Sequence, residues 1–219
     1  MRIIIYYINI YDYIMKFATH NTMSYQRPKQ WWARIFPFFA KCQRVDYKRQ
    51  HELGAQGFDL RIFWDKEGNI EFRHGVYRYP ADNLYEVLDY ARDNGIIVRI
   101  LFELRGYNER FIENVSELKE RFVEFCSEIE KEYPTIQFYG GVSTGSWEQL
   151  YKFRNEPQIN EISLYSSVTS LFVIKNKWLK ILDDWCPFIY AKLMNKQNIE
   201  EFASADDKTY LVVDFIDIQ

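Results

Sequence analysis

The sequence is poor in several residue types, and each scarcity narrows what the chain can be. Three cysteines occur in 219 residues, Cys42, Cys126 and Cys186, far apart and without a C-x-x-C pair. An odd number at such separations excludes a disulfide framework or a zinc ribbon and suits a reducing compartment. Basic residues do not dominate: 28 Lys and Arg stand against 31 Asp and Glu, a formal charge of −3. That balance lacks the basic footprint of a general nucleic-acid binder, so no nucleic-acid partner is expected. Low-complexity tracts, internal repeats and linker-like stretches are missing, and residues 1–219 read as a single domain. The N-terminal MRIIIYYINIYDYIMK carries Asn9 and Asp12 inside its apolar run and lacks a small-x-small cleavage site. It is therefore not read as a signal peptide, and it is too short and polar to span a bilayer. The expected location is cytoplasmic or otherwise soluble. Two readings of residues 1–14 remain, an extra β-strand favoured by the Ile and Tyr content or a dispensable extension ahead of Met15.

What is present alternates between strand and helix. Strands are expected at Met15–Thr19, Gly57–Phe63, Ile70–His74, Ile96–Leu104, Ile136–Gly140, Glu161–Ser166, Pro187–Leu193 and Tyr210–Ile216. Helices are expected near Pro28–Phe36, Tyr47–Leu53, Asp82–Asp93 and Asn108–Glu132, with weaker ones at Trp147–Phe153, Lys175–Asp184 and Asn198–Ala203. In the third of these, Leu84, Val87, Leu88 and Ala91 share one face, and Gly95 closes it. Such alternation predicts an α/β fold with a mostly parallel sheet, in the form of a single distorted or incomplete TIM-type (β/α) barrel.

Strand parity then separates the faces. Phe58, Leu60 and Ile62 point to the helices, which leaves Asp59 and Arg61 on the opposite side. Val98, Ile100, Phe102 and Leu104 likewise leave Arg99, Glu103 and Arg105 inward, and Val212 shares a face with Asp214. Buried charge is costly unless paired or used, so several strands delivering it at their C-terminal ends mark a candidate site. Only three histidines exist. His20 and His74 end predicted strands, whereas His51 falls on an exposed helix and reads as structural.

Thr19-His20-Asn21-Thr22, Gly57-Phe58-Asp59-Leu60-Arg61 and Arg73-His74-Gly75 together resemble the signature of the phosphatidylinositol-specific phospholipase C catalytic (X) domain. Arg61 follows Asp59 by two residues and His74 follows it by fifteen, the family's spacing of carboxylate, basic residue and second histidine. Val213-Asp214-Phe215-Ile216 is similar to the late strand whose aspartate orients the first histidine. The likeness covers Met15–Gly106 and the last strand, and is faint between.

The resemblance, closest to the bacterial metal-independent type, implies a two-step cleavage of an inositol phospholipid or related phosphodiester. His20 would take the proton from the inositol 2-hydroxyl, and His74 would protonate the diacylglycerol oxygen as it leaves. Asp214 would hold the His20 tautomer, and Arg61 would contact the phosphate. The products would be diacylglycerol and a cyclic inositol phosphate. Arg105, Tyr165 and Lys192 are further candidate substrate contacts.

Two departures bear on this. Bacterial members usually follow the first histidine with aspartate, which assists the second; here Asn21 stands there, and His74 would either rely on Asp59 or act with less help. Asparagine at that position is instead like the calcium-dependent eukaryotic relatives, so Asn21, Asp59 and Glu103 could imitate an oxygen-rich calcium site. Arg61, however, occupies the position of one acidic ligand, and a fixed cation there repels the metal. The expectation is therefore no cofactor and no metal, with calcium as the alternative, and Asn21 and Glu103 as substrate contacts.

Between Thr22 and Arg49 seven basic residues (Arg27, Lys29, Arg34, Lys41, Arg44, Lys48, Arg49) face one acid, Asp46, a local charge of +6. Trp31, Trp32, Phe36, Phe38 and Phe39 lie among them, and Pro28–Trp32 is similar to the short interfacial helix of the bacterial secreted enzymes. The mixture suits a peripheral contact with an anionic lipid surface, or packing over the barrel mouth. Two other functions remain open: a metal-dependent glycerophosphodiesterase-like hydrolase, and an inactive structural or surface-binding relative.

Overall fold

The computed structural model describes residues 16–36, 41–103, 115–143, 150–154, 163–166, 188–189, 191–193, 195 and 209–218. Residues 1–15, including the stretch 1–14 that reads as either an extra strand or a dispensable extension, lie outside this set, as do the helices expected at Lys175–Asp184 and Asn198–Ala203.

Eight strands form one mixed sheet: β1 (Lys16–Thr19), β2 (Ala55–Trp64), β3 (Ile70–His74), β4 (Tyr77–Pro80), β5 (Ile97–Phe102), β6 (Phe138–Ser143), β7 (Ser163–Ser166) and β8 (Thr209–Val213). A parallel ribbon runs β6-β5-β2-β1-β8-β7, and the antiparallel hairpin β3-β4 pairs with the C-terminal half of β2. Among the described residues β6 and β7 do not pair with each other, so the sheet is open. Among the described residues the helices that accompany it include α1 (Trp31–Ile35), α2 (Tyr47–Glu52), α3 (Leu84–Asp93) and α4 (Val115–Glu132). Asp46 caps α2 by accepting the backbone N–H of Arg49, a contact worth on the order of 1 kcal/mol.

The two faces of the sheet carry different residues because side chains alternate along each strand. The helix-covered face holds Phe58, Leu60, Ile62, Val98, Ile100, Phe102, Phe138, Leu211 and Val213, packed with Leu84, Val87, Leu88 and Ala91 of α3 and Phe122, Phe125, Cys126 and Ile129 of α4. Each large apolar side chain buried this way contributes roughly 1.5–3 kcal/mol. The other face begins with a small apolar floor, Ala18, Ile97, Tyr139, Tyr210 and Val212. Gly57 belongs to the same layer, because a Cβ there would lie 2.8 Å from the Ala18 Cβ and 3.0 Å from the Ile97 Cγ1. Two residues further along these strands come His20, Asp59, Arg99 and Asp214. The pleat thus stacks a layer of ionisable groups on an apolar floor.

Some expected elements differ. The strand expected at Pro187–Leu193 is helical at residues 188–189, 191–193 and 195. Ala191 and Asn195 are buried while Ile189, Lys192 and Leu193 are exposed, a helical rather than a twofold period. Residues 150–154 of the expected Trp147–Phe153 helix are irregular, because tertiary contacts hold them: Phe153 stacks on Phe138 and the Tyr151 hydroxyl donates to Glu130. The helix expected over Pro28–Phe36 shortens to α1, with the Arg34 guanidinium donating to the Pro28 and Lys29 carbonyls ahead of it. The described part of the longest helix begins at Val115.

Candidate active site

His20 follows the last residue of β1, and its backbone N–H extends the parallel ladder to the Val213 carbonyl. That register sets its ring beside Asp214, the residue after β8, with His20 Nδ1 2.6 Å from Asp214 Oδ1. A carboxylate accepts only, so Nδ1 carries the proton and the Nε2 lone pair faces the site. Asp214 is itself held by its carbonyl, which accepts from Asn195 Nδ2 at 2.8 Å. Phe215 takes a left-handed backbone conformation (φ 48°), which turns the chain sharply after the aspartate.

The rest of the THNT stretch fastens β1 to β2 and β3. Asn21 is also left-handed (φ 43°), a region in which asparagine is among the more tolerant residues. Its backbone N–H donates to Asp59 Oδ2 at 3.1 Å, and its Nδ2 donates to the Arg73 carbonyl at 3.1 Å. The Thr22 hydroxyl accepts the backbone N–H of Asp59 at 2.9 Å. His20 and Asp59 are thereby fixed relative to one another, at the expense of two residues that read as part of a catalytic motif.

Arg61 is the centre of the charge network and is buried. Its Nε donates to Asp59 Oδ2 at 3.0 Å and its Nη1 to Glu103 Oε2 at 2.9 Å, while its Nη2 lies 2.6 Å from His20 Nε2. Arg99 Nε reaches the other Asp59 oxygen at 2.9 Å. Burial works against ionising Asp59, but Arg99 and Arg61 outweigh it and hold the carboxyl well below the usual carboxylate range. Burial also opposes the charge on Arg61, and Asp59 and Glu103 reverse that, so the guanidinium stays protonated. Three carboxylates (Asp59, Glu103, Asp214) face two guanidiniums, a formal −1 when the imidazoles are neutral.

His74 ends β3 and faces His20 across the site, ring centroids 5.4 Å apart and planes at 88°. Its Nδ1 lies 3.6 Å from the sulfur of Cys42. Asp59, the candidate support for His74, is engaged by Arg61, Arg99 and the Asn21 backbone N–H. Cys42 arrives from the segment after α1, pinned by its N–H to the Ser24 hydroxyl and by its carbonyl, which accepts from the Phe215 N–H at 2.6 Å. Gln43 beside it donates to the His20 and Val213 carbonyls. Cys42, Gln43 and Asn195 carry no sequence signal, because a single residue from a loop or a short helical stretch has no spacing to betray it. Parity did place Arg99 inward.

Of the sequence-predicted residues, His20, Asn21, Asp59, Arg61, His74, Glu103 and Asp214 come together. Arg105 and Phe38 lie outside the described residues, and of Tyr165 only the backbone is described, opposite Leu211. Lys192 is exposed and makes no contact with this group among the described residues. His51 sits on α2 with its Nδ1 2.9 Å from the Tyr90 hydroxyl. Trp31, Ile35 and Phe36 are 72%, 58% and 48% exposed, whereas Trp32 packs its ring against Tyr77 at 5.2 Å. No helix among the described residues is long and apolar enough to cross a membrane.

No family model and no curated protein matches the sequence. Solved structures do resemble it. The phosphatidylinositol-specific phospholipase C from Listeria monocytogenes is 15% identical with a TM-score of 0.53, covering 92% of this chain and 88% of its own. A double mutant of the phosphatidylinositol-specific phospholipase C from Staphylococcus aureus is 15% identical with a TM-score of 0.51, covering 92% and 85%. A glycerophosphodiester phosphodiesterase from Agrobacterium tumefaciens is 9% identical at 0.45 over 94% and 98%. The chain thus shares the fold of the bacterial phosphatidylinositol-specific phospholipases C at low sequence identity.

Proposed function

We propose that this protein cleaves phosphodiesters of the phosphatidylinositol type, using His20 as base and His74 as acid on a distorted (β/α) barrel. The observation that carries the reading is the facing pair of imidazoles, one oriented by Asp214 and touched by a buried guanidinium. Asp59 and Glu103 hold Arg61 by Nε and Nη1, and its Nη2 lies against His20 Nε2. A phosphate oxygen entering there takes Nη2 and frees His20 Nε2 for the attacking hydroxyl. The hydroxyl oxygen bonds to phosphorus as its proton passes to Nε2, and Asp214 stabilises the imidazolium formed. Arg61 stabilises the charge building on the phosphoryl oxygens. The bond to the lipid oxygen then breaks as His74 supplies a proton from Nε2, since its Nδ1 faces Cys42. Diacylglycerol and a cyclic inositol phosphate result.

A calcium site made by Asn21, Asp59 and Glu103 fits this arrangement poorly, because Arg61 lies between the two carboxylates and, together with Arg99, neutralises them. Activity is therefore expected to survive a strong chelator. The exposed Trp31, Ile35 and Phe36, in a stretch of net positive charge, support a transient contact with anionic lipid. Phosphorus NMR of the protein with phosphatidylinositol vesicles tests the reading: a cyclic phosphodiester signal supports it, and an unchanged lipid spectrum, with or without calcium, refutes it.

A further inference from the structure

His20, Cys42 and His74 each present one donor atom to a common space, all within 4.8 Å of one another. The phosphodiesterase reading uses the two imidazoles and leaves the thiol without a task. Around a shared four-coordinate zinc ion, with Zn–S near 2.3 Å and Zn–N near 2.0–2.1 Å, sulfur and nitrogen stand roughly 3.5 Å apart. Cys42 Sγ and His74 Nδ1 are already 3.6 Å apart. His74 is only partly buried, at the end of a strand, and its side-chain torsions can supply the remaining contraction.

The electrostatics agree. With the thiol ionised, the cluster holds four negative groups (Asp59, Glu103, Asp214 and the Cys42 thiolate) against Arg61 and Arg99, a formal −2 that a dication neutralises. The ligands are soft: one thiolate and two imidazoles favour zinc-class ions over calcium or magnesium. His20 is preset for the role, since Asp214 fixes the proton on Nδ1 and aims the Nε2 lone pair inward, the carboxylate–histidine arrangement common behind metal-bound imidazoles. The ion displaces Arg61 Nη2 from His20 Nε2, and Arg61 keeps its bonds to Asp59 and Glu103.

The geometry points to a binding site for a zinc-class divalent ion on His20 Nε2, Cys42 Sγ and His74 Nδ1. A water completes the coordination sphere, and the Cys42 thiol releases its proton to solvent on binding. Because the ion consumes the lone pair of the base and a nitrogen of the acid, it is an inhibitor; this consequence rests on the phosphodiesterase reading, and the binding does not.

Cobalt(II) added to the purified full chain is a spectroscopic stand-in that needs no turnover. One equivalent should raise a sulfur-to-cobalt charge-transfer band that zinc abolishes. Cys42→Ser should remove the band, Cys126→Ser should keep it, and His74→Ala should weaken binding by at least about tenfold. Should Cys42→Ser fail to fold, zinc should still protect Cys42 of the unmutated protein from alkylation, read by mass spectrometry. Absence of the band, its survival in a folded Cys42→Ser variant, or unaltered alkylation overturns the site. A cobalt band in a protein with no phosphodiesterase activity leaves the site standing and sinks the functional reading. An active enzyme that binds zinc on Cys42 and is not slowed overturns the inhibition.

Discussion

Asp59 is the residue whose replacement should cost most in stability, because it is the shared counter-ion of Arg61 and Arg99. Asp59→Asn keeps the shape and removes the charge, while turning an amide N–H₂ toward guanidinium groups that can only donate. Arg61 stays buried with Glu103 as its remaining anion, and Arg99 loses the carboxylate oxygen at 2.9 Å. Breaking a buried pair by removing one partner typically costs about 3–5 kcal/mol. For a chain of this length each kcal/mol moves the Tm by roughly 2–4 °C, so the variant should melt roughly 6–20 °C lower. The pH dependence has a definite sign. The carboxyl titrates lower in the folded state than its unfolded value near 3.9, so its stabilisation is complete above that value and is lost as pH falls toward the folded one. The difference between wild type and variant should therefore be level from pH 8 to about 5 and should narrow only in stronger acid. Urea unfolding at a series of pH values measures it. A penalty under about 1 kcal/mol at pH 7, or one that shrinks between pH 7 and 5, would refute the view of Asp59 as the network's anion.

Gly57→Ala tests the floor beneath the site. Alanine normally gains several tenths of a kcal/mol over glycine in a strand, but here its Cβ meets the Ala18 Cβ at 2.8 Å, and overpacking should reverse the sign to a loss of about 1–3 kcal/mol in denaturant unfolding. A stabilised Gly57→Ala protein would show that β1 and β5 approach less closely than described. Trp31→Ala should reduce activity on vesicles by several-fold while leaving a short-chain soluble substrate almost unaffected, since Trp31 is exposed and buries little. Equal losses on both substrates would speak against a lipid contact. Trp32→Ala should instead lower the Tm, because Trp32 packs against Tyr77.

The cluster was legible because His20, His74 and Asp214 fall at or just past strand ends, while Asp59, Arg61 and Arg99 obey a twofold alternation that sequence displays directly. Gly57, Asp59 and Arg61 follow one another on one face, and Asp214 stands two residues beyond Val212. Cys42 was invisible for the opposite reason. It reaches His74 through a loop held by a serine hydroxyl and a left-handed Phe215, and neither leaves a periodic trace. The strand β4 was missed as well: its four residues include Tyr77 and Tyr79 facing the core, but they end in a proline directly after a turn. The segment at residues 188–195 misled because it opens on Phe188, Ile189 and Tyr190, all strand-favouring residue types. Its burial follows Ala191 and Asn195, and the buried asparagine is a tertiary contact to Asp214 that apolar pattern alone does not reveal.

The central claim is that His20 and His74 act as one acid–base unit, and the rates of three variants on phosphatidylinositol test it most directly. His20→Ala and His74→Ala should each lower kcat by roughly 10²–10⁴-fold, and the double variant should fall little further, since paired groups are not additive. The unmutated protein should show a bell-shaped dependence of kcat/KM on pH, with His51→Ala indistinguishable from it. Full activity in both single variants, or losses that multiply in the double, would contradict the account.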